Sequence, residues 1–452
     1  SCRQLVSTWY VMVHKHIFSI LLVISFAAAE DENAKLAEGY PALMLIGGTA
    51  FIMILYYMTN AHVDEVKSNT WKMLVLAVSI FVAVATQKVM NYVLHSTFGL
   101  DPDPETPTPG HIITAASILI VDWGIVTLLL LCFSASILRL KGYGTVGGHL
   151  MGFASIALWT VVCKLEPFRN SAWGIVPGVL LIYVVSSSIF FCFFRVLGNS
   201  SAMMGRVSKE QKDRWVDQCK DTGNDFVCLG FSFILVTFLQ FLIFGQLEPS
   251  VTDPKFRHSD SDIVALSMVS VGLLVVGGLV TVAQHATPKG CDHFMDLVTS
   301  IVSNTASMCL LCVFNWKFLP PAPSDVLGRL HVAIYLSLVG VFLVNFIAII
   351  DYLCGAKQRA LRGAFTGIGL VIGSSWEKTF DASFEAMDCF GLGDWYITCL
   401  SMLLVLIVFP AWLVYMLPKS DAELQAELKK TPPVWAACCD QCPCDCDDDD
   451  DD

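Results

Sequence analysis

Long apolar stretches separated by short polar ones run through this chain. Eleven of them, at about 41–60, 70–95, 111–138, 147–165, 172–197, 224–246, 262–284, 291–317, 325–352, 362–388 and 394–417, are long enough to cross a hydrocarbon core of about 30 Å. Proline, glycine and charge mark the breaks, as in Asp101-Pro102-Asp103-Pro104 and Leu319-Pro320-Pro321. Short connections make neighbouring spans antiparallel. The pattern therefore predicts an all-α, polytopic integral membrane bundle of about eleven transmembrane helices arranged in hairpins.

Three regions follow. Residues 1–29 carry Lys15 ahead of an apolar core, Ile17 to Phe26, and end on Ala27-Ala28-Ala29, which reads as a signal peptide or an N-terminal hydrophobic segment. Residues 30–418 form the multi-pass domain. Residues 419–452 read as a short cytosolic helix followed by a disordered Cys/Asp-rich tail, with Cys438 to Cys446 before the run Asp447 to Asp452.

Composition agrees with the pattern. The 452 residues are 55% hydrophobic and 15% charged, with mean hydropathy +0.62, which places the chain among membrane proteins. The net charge of −12 owes half its size to the terminal aspartates. No basic domain exists, so a nucleic-acid partner is not expected. The cysteines are mostly scattered singly through apolar segments and act as small hydrophobes.

Charge in the loops sets an orientation. With residues 30–40 outside, the inner loops gather Lys67, Lys72, Arg139, Lys141, the Arg195–Lys220 group and Lys357 to Arg362. The outer loops hold only Lys35, Arg169, Lys255, Arg257 and Lys317. The positive-inside rule then puts the mature N-terminus outside and the C-terminus in the cytosol, in the secretory pathway or the plasma membrane. Met203 to Lys220 is amphipathic enough to lie on the inner membrane surface, where Lys and Arg favour anionic lipid. Membrane lipids are thus expected partners.

Spans starting near Thr70, Gly147, Asn224, Cys291 and Arg362 share one direction and recur about every 70 residues, a weak hairpin repeat. Each carries polar residues in its outer half: Gln87 and Lys88, Lys164 and Glu166, Gln240, Asn315, then Glu377 and Lys378. Any array of hairpins alternates in this way, so duplication remains one of two explanations.

Three stretches carry a resemblance. They are Ser68-Asn69-Thr70-Trp71-Lys72-Met73-Leu74, Ile372-Gly373-Ser374-Ser375-Trp376-Glu377-Lys378-Thr379-Phe380-Asp381, and Phe409-Pro410-Ala411-Trp412-Leu413-Val414-Tyr415-Met416-Leu417-Pro418. Together they resemble a group of multi-pass membrane proteins of dinoflagellates and related protist algae, over about residues 40–420. The resemblance implies an architecture and a lineage, and no functional residue.

Candidate chemistry rests on intramembrane charge. Asp122 lies about eleven residues into its span, near mid-membrane at roughly 1.5 Å per residue. Lys88 sits at a similar depth in the preceding span, so an ion pair across the hairpin is expected. Glu377, Asp381 and Glu385 fall at i, i+4 and i+8, one stripe of a helix. Charges at the bilayer centre cost at least about 2.5 kcal/mol each and usually face protein or water.

Lys88, Asp122, Glu377, Lys378 and Asp381 are the transport-pathway candidates. Gln87, Lys164, Glu166, Gln240, Asn304 and Asn345 are secondary polar positions, for which helix–helix glue is the competing explanation. No zinc-protease, Walker, nucleophile-elbow, voltage-sensor or potassium-filter motif occurs, and no enzyme, metal or cofactor is expected. Three functions stay open, of which an intramembrane enzyme is the least supported because no nucleophile–base or metal constellation is visible; the other two follow. One is a transporter or channel for a small cation or solute, with a wet path joining Lys88, Asp122 and Glu377. The other is a structural or assembly membrane protein whose charges are paired and dry.

Overall fold

A computed structural model describes residues 52–61, 64–100, 107–165, 168, 183–184, 188, 208–245, 258–286, 292–318, 326–354, 358–387, 394–421 and 424–426. Among these residues the chain is helical, with no strand. Nine long helices follow in order among them: α1 Asp64–Phe98, α2 Pro109–Cys132, α3 Ile137–Cys163, α4 Lys209–Phe244, α5 Asp260–Ala286, α6 Asp292–Phe318, α7 Val326–Cys354, α8 Gln358–Met387 and α9 Asp394–Ala411. Helix α9 runs on through a π-helical turn, Trp412–Met416, into Leu417–Ser420. Seven of the described helices are long and apolar enough to span a membrane. The expected span at 41–60 is described only from Ile52 on, and most of that at 172–197 lies outside the described residues, as do residues 1–29 and the Cys/Asp tail.

Local sequence explains the helix ends. Pro109 opens α2 behind Thr108, where a missing N–H costs nothing. Ser136 caps α3 by accepting from Arg139 N, at 3.5 Å. Ser208 caps α4 in the same way, accepting from Gln211 N at 3.3 Å. Helix α4 stops at Gly245, which takes the left-handed conformation with φ 76°.

Two boundaries differ from the expectation. Helix α3 begins at Ile137, well ahead of the predicted start at Gly147. Its glycines sit where neighbouring helices come close, and the cost of glycine in a helix is outweighed by that packing. Helix α4 begins at Lys209 and is 36 residues long. Its charged first half continues straight into the span and does not form a separate surface helix. Trp215 and Cys219 bury there against α3, and this packing holds the segment upright.

Five helices of one direction form a ring. Helix α1 packs on α3, α3 on α4, α4 on α6, α6 on α8, and α8 closes on α1. These are the five like-directed spans of the sequence pattern. Their contacts advance together, as parallel neighbours require. Ser232 Oγ donates to Ile301 O at 3.1 Å, one turn above the Cys228–Leu297 contact at 3.9 Å. Thr222 Oγ1 donates to Gly144 O at 3.1 Å, and Ser79 Oγ lies 3.2 Å from His149 Nδ1.

Glycine permits the approach. A Cβ on Gly148 would stand 3.1 Å from Thr222 O, one on Gly367 3.1 Å from Ser303 O, and one on Gly373 2.9 Å from Ala77 O. Close backbone approach through small residues is how helices gain packing energy in lipid, where no hydrophobic drive separates them from solvent.

The remaining helices brace the ring from outside, each antiparallel to its main partner. Helix α2 packs on α3, α5 on α6, α7 on α8 and α9 on α1. Ser270 Oγ donates to Ala306 O at 2.8 Å, Trp376 Nε1 to Ser337 Oγ at 2.9 Å, and Trp412 Nε1 to Val75 O at 2.8 Å. One apolar cluster draws on all five ring helices, with Ile80, Trp159, Phe233, Met308 and Leu370 among its members, and also takes in Leu266 of α5. Helices α5 and α9 leave most of their apolar surface outward, as lipid-facing helices do.

The seam between α8 and α1 closes the ring, and it yields a test. Gly373→Leu should cost about 1–3 kcal/mol by overpacking against the Ala77 carbonyl. Gly272→Leu on α5, with open space around it, should stay within about 0.5 kcal/mol of the parent. Thermal unfolding in detergent measures both; equal losses would show that the seam is not close-packed.

Candidate functional site

Asp122 sits on the stripe of α2 that carries Ile118, Leu119 and Val126. These residues belong to a second apolar cluster, shared with Ala83 of α1, Met151 and Ala154 of α3, and Trp215 and Phe226 of α4. The stripe is pressed on α3: a Cβ on Gly147 would stand 2.7 Å from Val126 Cγ1. Asp122 is 0% exposed, and neither carboxylate oxygen has a hydrogen-bond partner. Among the described residues no group of three His, Cys, Asp or Glu side chains converges as a metal site would need.

The expected Lys88–Asp122 pair is not formed. Lys88 is half-buried and engaged elsewhere, while both Asp122 oxygens stay without a donor. The reason is rotational. The α1 residues that reach this cluster are Ala83, Met90 and Leu94, and Gln87 shares their stripe at i+4 from Ala83. Lys88, one residue on, is turned about 100° away. Gln87 is buried; its Nε2 donates to Asn91 Oδ1 at 3.2 Å, and its Oε1 has no partner.

Glu377 is in a different place. It lies seven residues beyond Leu370 on the same face of α8, and Leu370 belongs to the cluster that draws on all five ring helices. Glu377 is buried and Lys378 half-buried, and both are engaged with neighbours. Helix α8 packs on α1, α6 and α7, whereas α2 packs on α3 and α1. Asp122 and Glu377 therefore lie on helices with different main partners apart from α1.

The secondary positions divide in the same way. Gln240 is buried and engaged, and Lys164 is half-buried at the end of α3 and engaged. Asn304 is buried with its Oδ1 unpartnered. Glu166 and the side chains of Asn345, Asp381 and Glu385 lie outside the described residues.

Several polar contacts were not anticipated. The buried pair of His149 with Ser79 lies between α3 and α1. The signal for it was a histidine within a glycine-rich helix. At the far end of the bundle His258 stacks on Trp316, with centroids 3.7 Å apart at 9°, and against Phe244 at 4.5 Å. Burial pulls its imidazole below the ordinary value, and the Asp262 carboxylate pushes partly the other way. Nothing in the loop sequence marked this stack.

At the other end Lys141 pairs with Asp421, and Lys419 Nζ lies 4.7 Å from the centre of the Trp71 ring. Asp421 Oδ1 also accepts from Leu424 N at 3.1 Å. The C-terminal segment is thereby fastened to α1 and α3. No family model, curated protein or solved structure matches this chain.

Two measurements follow. Asp122→Leu should leave the unfolding temperature unchanged or raise it, because it removes a buried carboxyl that makes no hydrogen bond. An Asp122 held in an ion pair would instead lose roughly 3–5 kcal/mol on such a change. The second concerns His258, whose folded value is depressed. Its neutral form is favoured in the fold, so stability is kept above about pH 6.5, the ordinary value, and falls as the pH drops below it. Unfolding of the parent and of His258→Phe should diverge as pH falls, with the parent losing more. Parallel curves would exclude the buried stack.

Proposed function

We propose that the chain is a proton-coupled membrane transport protein in which Asp122 binds and releases the proton. The observation that carries this is a carboxyl group near the middle of an apolar helix, fully buried, with neither oxygen hydrogen-bonded. An ionised carboxylate in such surroundings is costly, so the group is neutralised by something it binds. A hard metal cation takes six or more oxygens, or several waters with one or two carboxylates. Among the described residues no group of three His, Cys, Asp or Glu side chains converges at Asp122. A proton asks for one oxygen only. Gln87, with an unpartnered Oε1 on the neighbouring stripe, supplies an acceptor for a protonated carboxyl.

The ring helices act as the fixed body in this reading, because one apolar cluster draws on all five of them. The proton site lies outside the ring, where α2 leans on α1 and α3. Glu377 and Lys378 are buried or half-buried charges of α8, engaged with neighbours, and are read as structural.

The same apolar cluster favours a second reading, a structural or assembly membrane protein with a packed centre and a lipid-facing rim on α5 and α9. Flux separates the two. In proteoliposomes carrying a pH-sensitive dye, the parent should dissipate an imposed pH gradient, or acidify on addition of a transported solute, and Asp122→Asn should abolish this while Glu377→Gln retains it. Absence of proton movement by the parent across a broad solute set would leave the structural reading.

A further inference from the structure

The unpartnered polar atoms of this molecule are not spread evenly. Among the described residues, both Asp122 oxygens, Gln87 Oε1, His111 Nε2 and Thr127 Oγ1 lie on the single hairpin made by α1 and α2, the first four of them along the stripes described next. On α2, His111, Thr114 and Asp122 are buried on the same side as Ala115 and Ile118. On α1, Gln87, Asn91 and His95 follow at i, i+4 and i+8, and Gln87 and His95 are buried. Gln87 Nε2 donates to the Asn91 side-chain Oδ1 at 3.2 Å, and His95 Nδ1 donates to the Asn91 backbone carbonyl at 2.8 Å. At the hairpin's end, His111 Nδ1 accepts from Thr108 N at 3.1 Å.

The register of the two stripes is fixed where the hairpin turns. Leu100 stands beside Gly110, whose Cβ would lie 3.7 Å from its methyls. Counted from that contact along antiparallel helices of equal rise, Gln87 comes level with Trp123, one residue past Asp122, and His95 comes level with Ala115. Both stripes also adjoin the same cluster, through Ala83, Met90 and Leu94 on one side and Ile118 and Leu119 on the other. Ordinary helix–helix glue has its hydrogen bonds made within the protein. Here the acceptors are left over at one end of the seam and a histidine nitrogen at the other, as in a relay whose donor is mobile.

We propose that protons reach Asp122 from the membrane face at which α1 ends and α2 begins, along a seam formed by His95, Asn91 and Gln87 of α1 with His111 and Thr114 of α2. This rests on the reading of Asp122 as a proton site and adds its side of access. The other titratable groups on the packed elements are accounted for. Lys88 adjoins the seam, half-buried and engaged. His149 of α3 is turned to Ser79 of α1.

The test is access to small aqueous cations. Thr114→Cys and Asn91→Cys are placed singly in a chain with its native cysteines replaced, and reconstituted. Silver ion, which is thiol-reactive and membrane-impermeant, is added to one face at a time, and free thiol is then counted with a maleimide in detergent. Silver at the face bearing His95 and His111 should abolish maleimide labelling of both positions. Silver at the opposite face should leave labelling complete, and Ile120→Cys, which faces outward at 58% exposure, should be unaffected from either side. Protection only from the opposite face, or from neither, overturns the seam.

Hydroxyl-radical footprinting of the unaltered chain repeats the test without substitutions. Met90, beside the seam, should oxidise faster than Met308 in the ring cluster, and equal protection counts against the seam. Access from the predicted face without proton flux would retire the transport reading and keep the seam. Flux without that access would do the reverse.

Discussion

Backbone-to-backbone approach between helices that run the same way is the constraint on which this fold depends. Parallel helices align their dipoles, which is unfavourable in a medium of low dielectric, and lipid offers no hydrophobic reward for their association. The ring compensates twice. Gly148, Gly367 and Gly373 let neighbouring backbones come within contact distance, so dispersion acts over many atoms. Helices α2, α5, α7 and α9 then lie antiparallel on the outside and offset the dipoles of their partners. Hydroxyl-to-carbonyl bonds such as Ser232 to Ile301 pin the register without leaving a polar group in hydrocarbon.

Asp122 lies at the edge of the ring, on an outer helix. With Ile80, Phe233, Met308 and Leu370 in one apolar cluster, the ring helices are a body against which an outer helix can work. Helix α2 is the outer helix that carries a buried, unpartnered charge-bearing group. It touches α1 mainly through the hairpin and is seated on α3 over a glycine, Gly147. The contrast with the C-terminal segment is instructive. There Lys141 meets Asp421, Trp412 donates to Val75 and Lys419 covers Trp71, so these polar groups have partners and the role is to fasten. Asp122 has none, and the role read from it is to bind.

Much of the architecture was legible in the sequence, because a membrane span is announced by length and apolarity alone. The five like-directed spans were visible as an even recurrence, although nothing in that spacing said that they close on one another. Closure is written in single glycines, Gly367 and Gly373, whose importance appears only when a neighbour's carbonyl is seen beside them. Asp122 was legible as a buried charge. That Lys88 does not pair with it was not, since depth alone matched the two, whereas the face of α1 turned to this cluster carries Ala83, Met90 and Leu94 and leaves Lys88 off it. Trp215 and Cys219 were read as surface because their segment is rich in charge; packing against α3 overrode that pattern. The stack of His258 on Trp316 joins positions far apart in the chain through loop geometry and left no periodic trace.

The central claim is that Asp122 holds a proton that it can give up, and infrared difference spectroscopy tests it most directly. Spectra of the reconstituted chain taken across an alkaline pH step should show loss of one protonated-carboxyl C=O band with gain of a carboxylate band. Asp122→Asn should remove that pair of bands, and Glu377→Gln should leave them in place. Identical difference spectra for the parent and Asp122→Asn would contradict the account, because Asp122 would then hold one fixed state, and a carboxyl that never exchanges its proton cannot couple to transport.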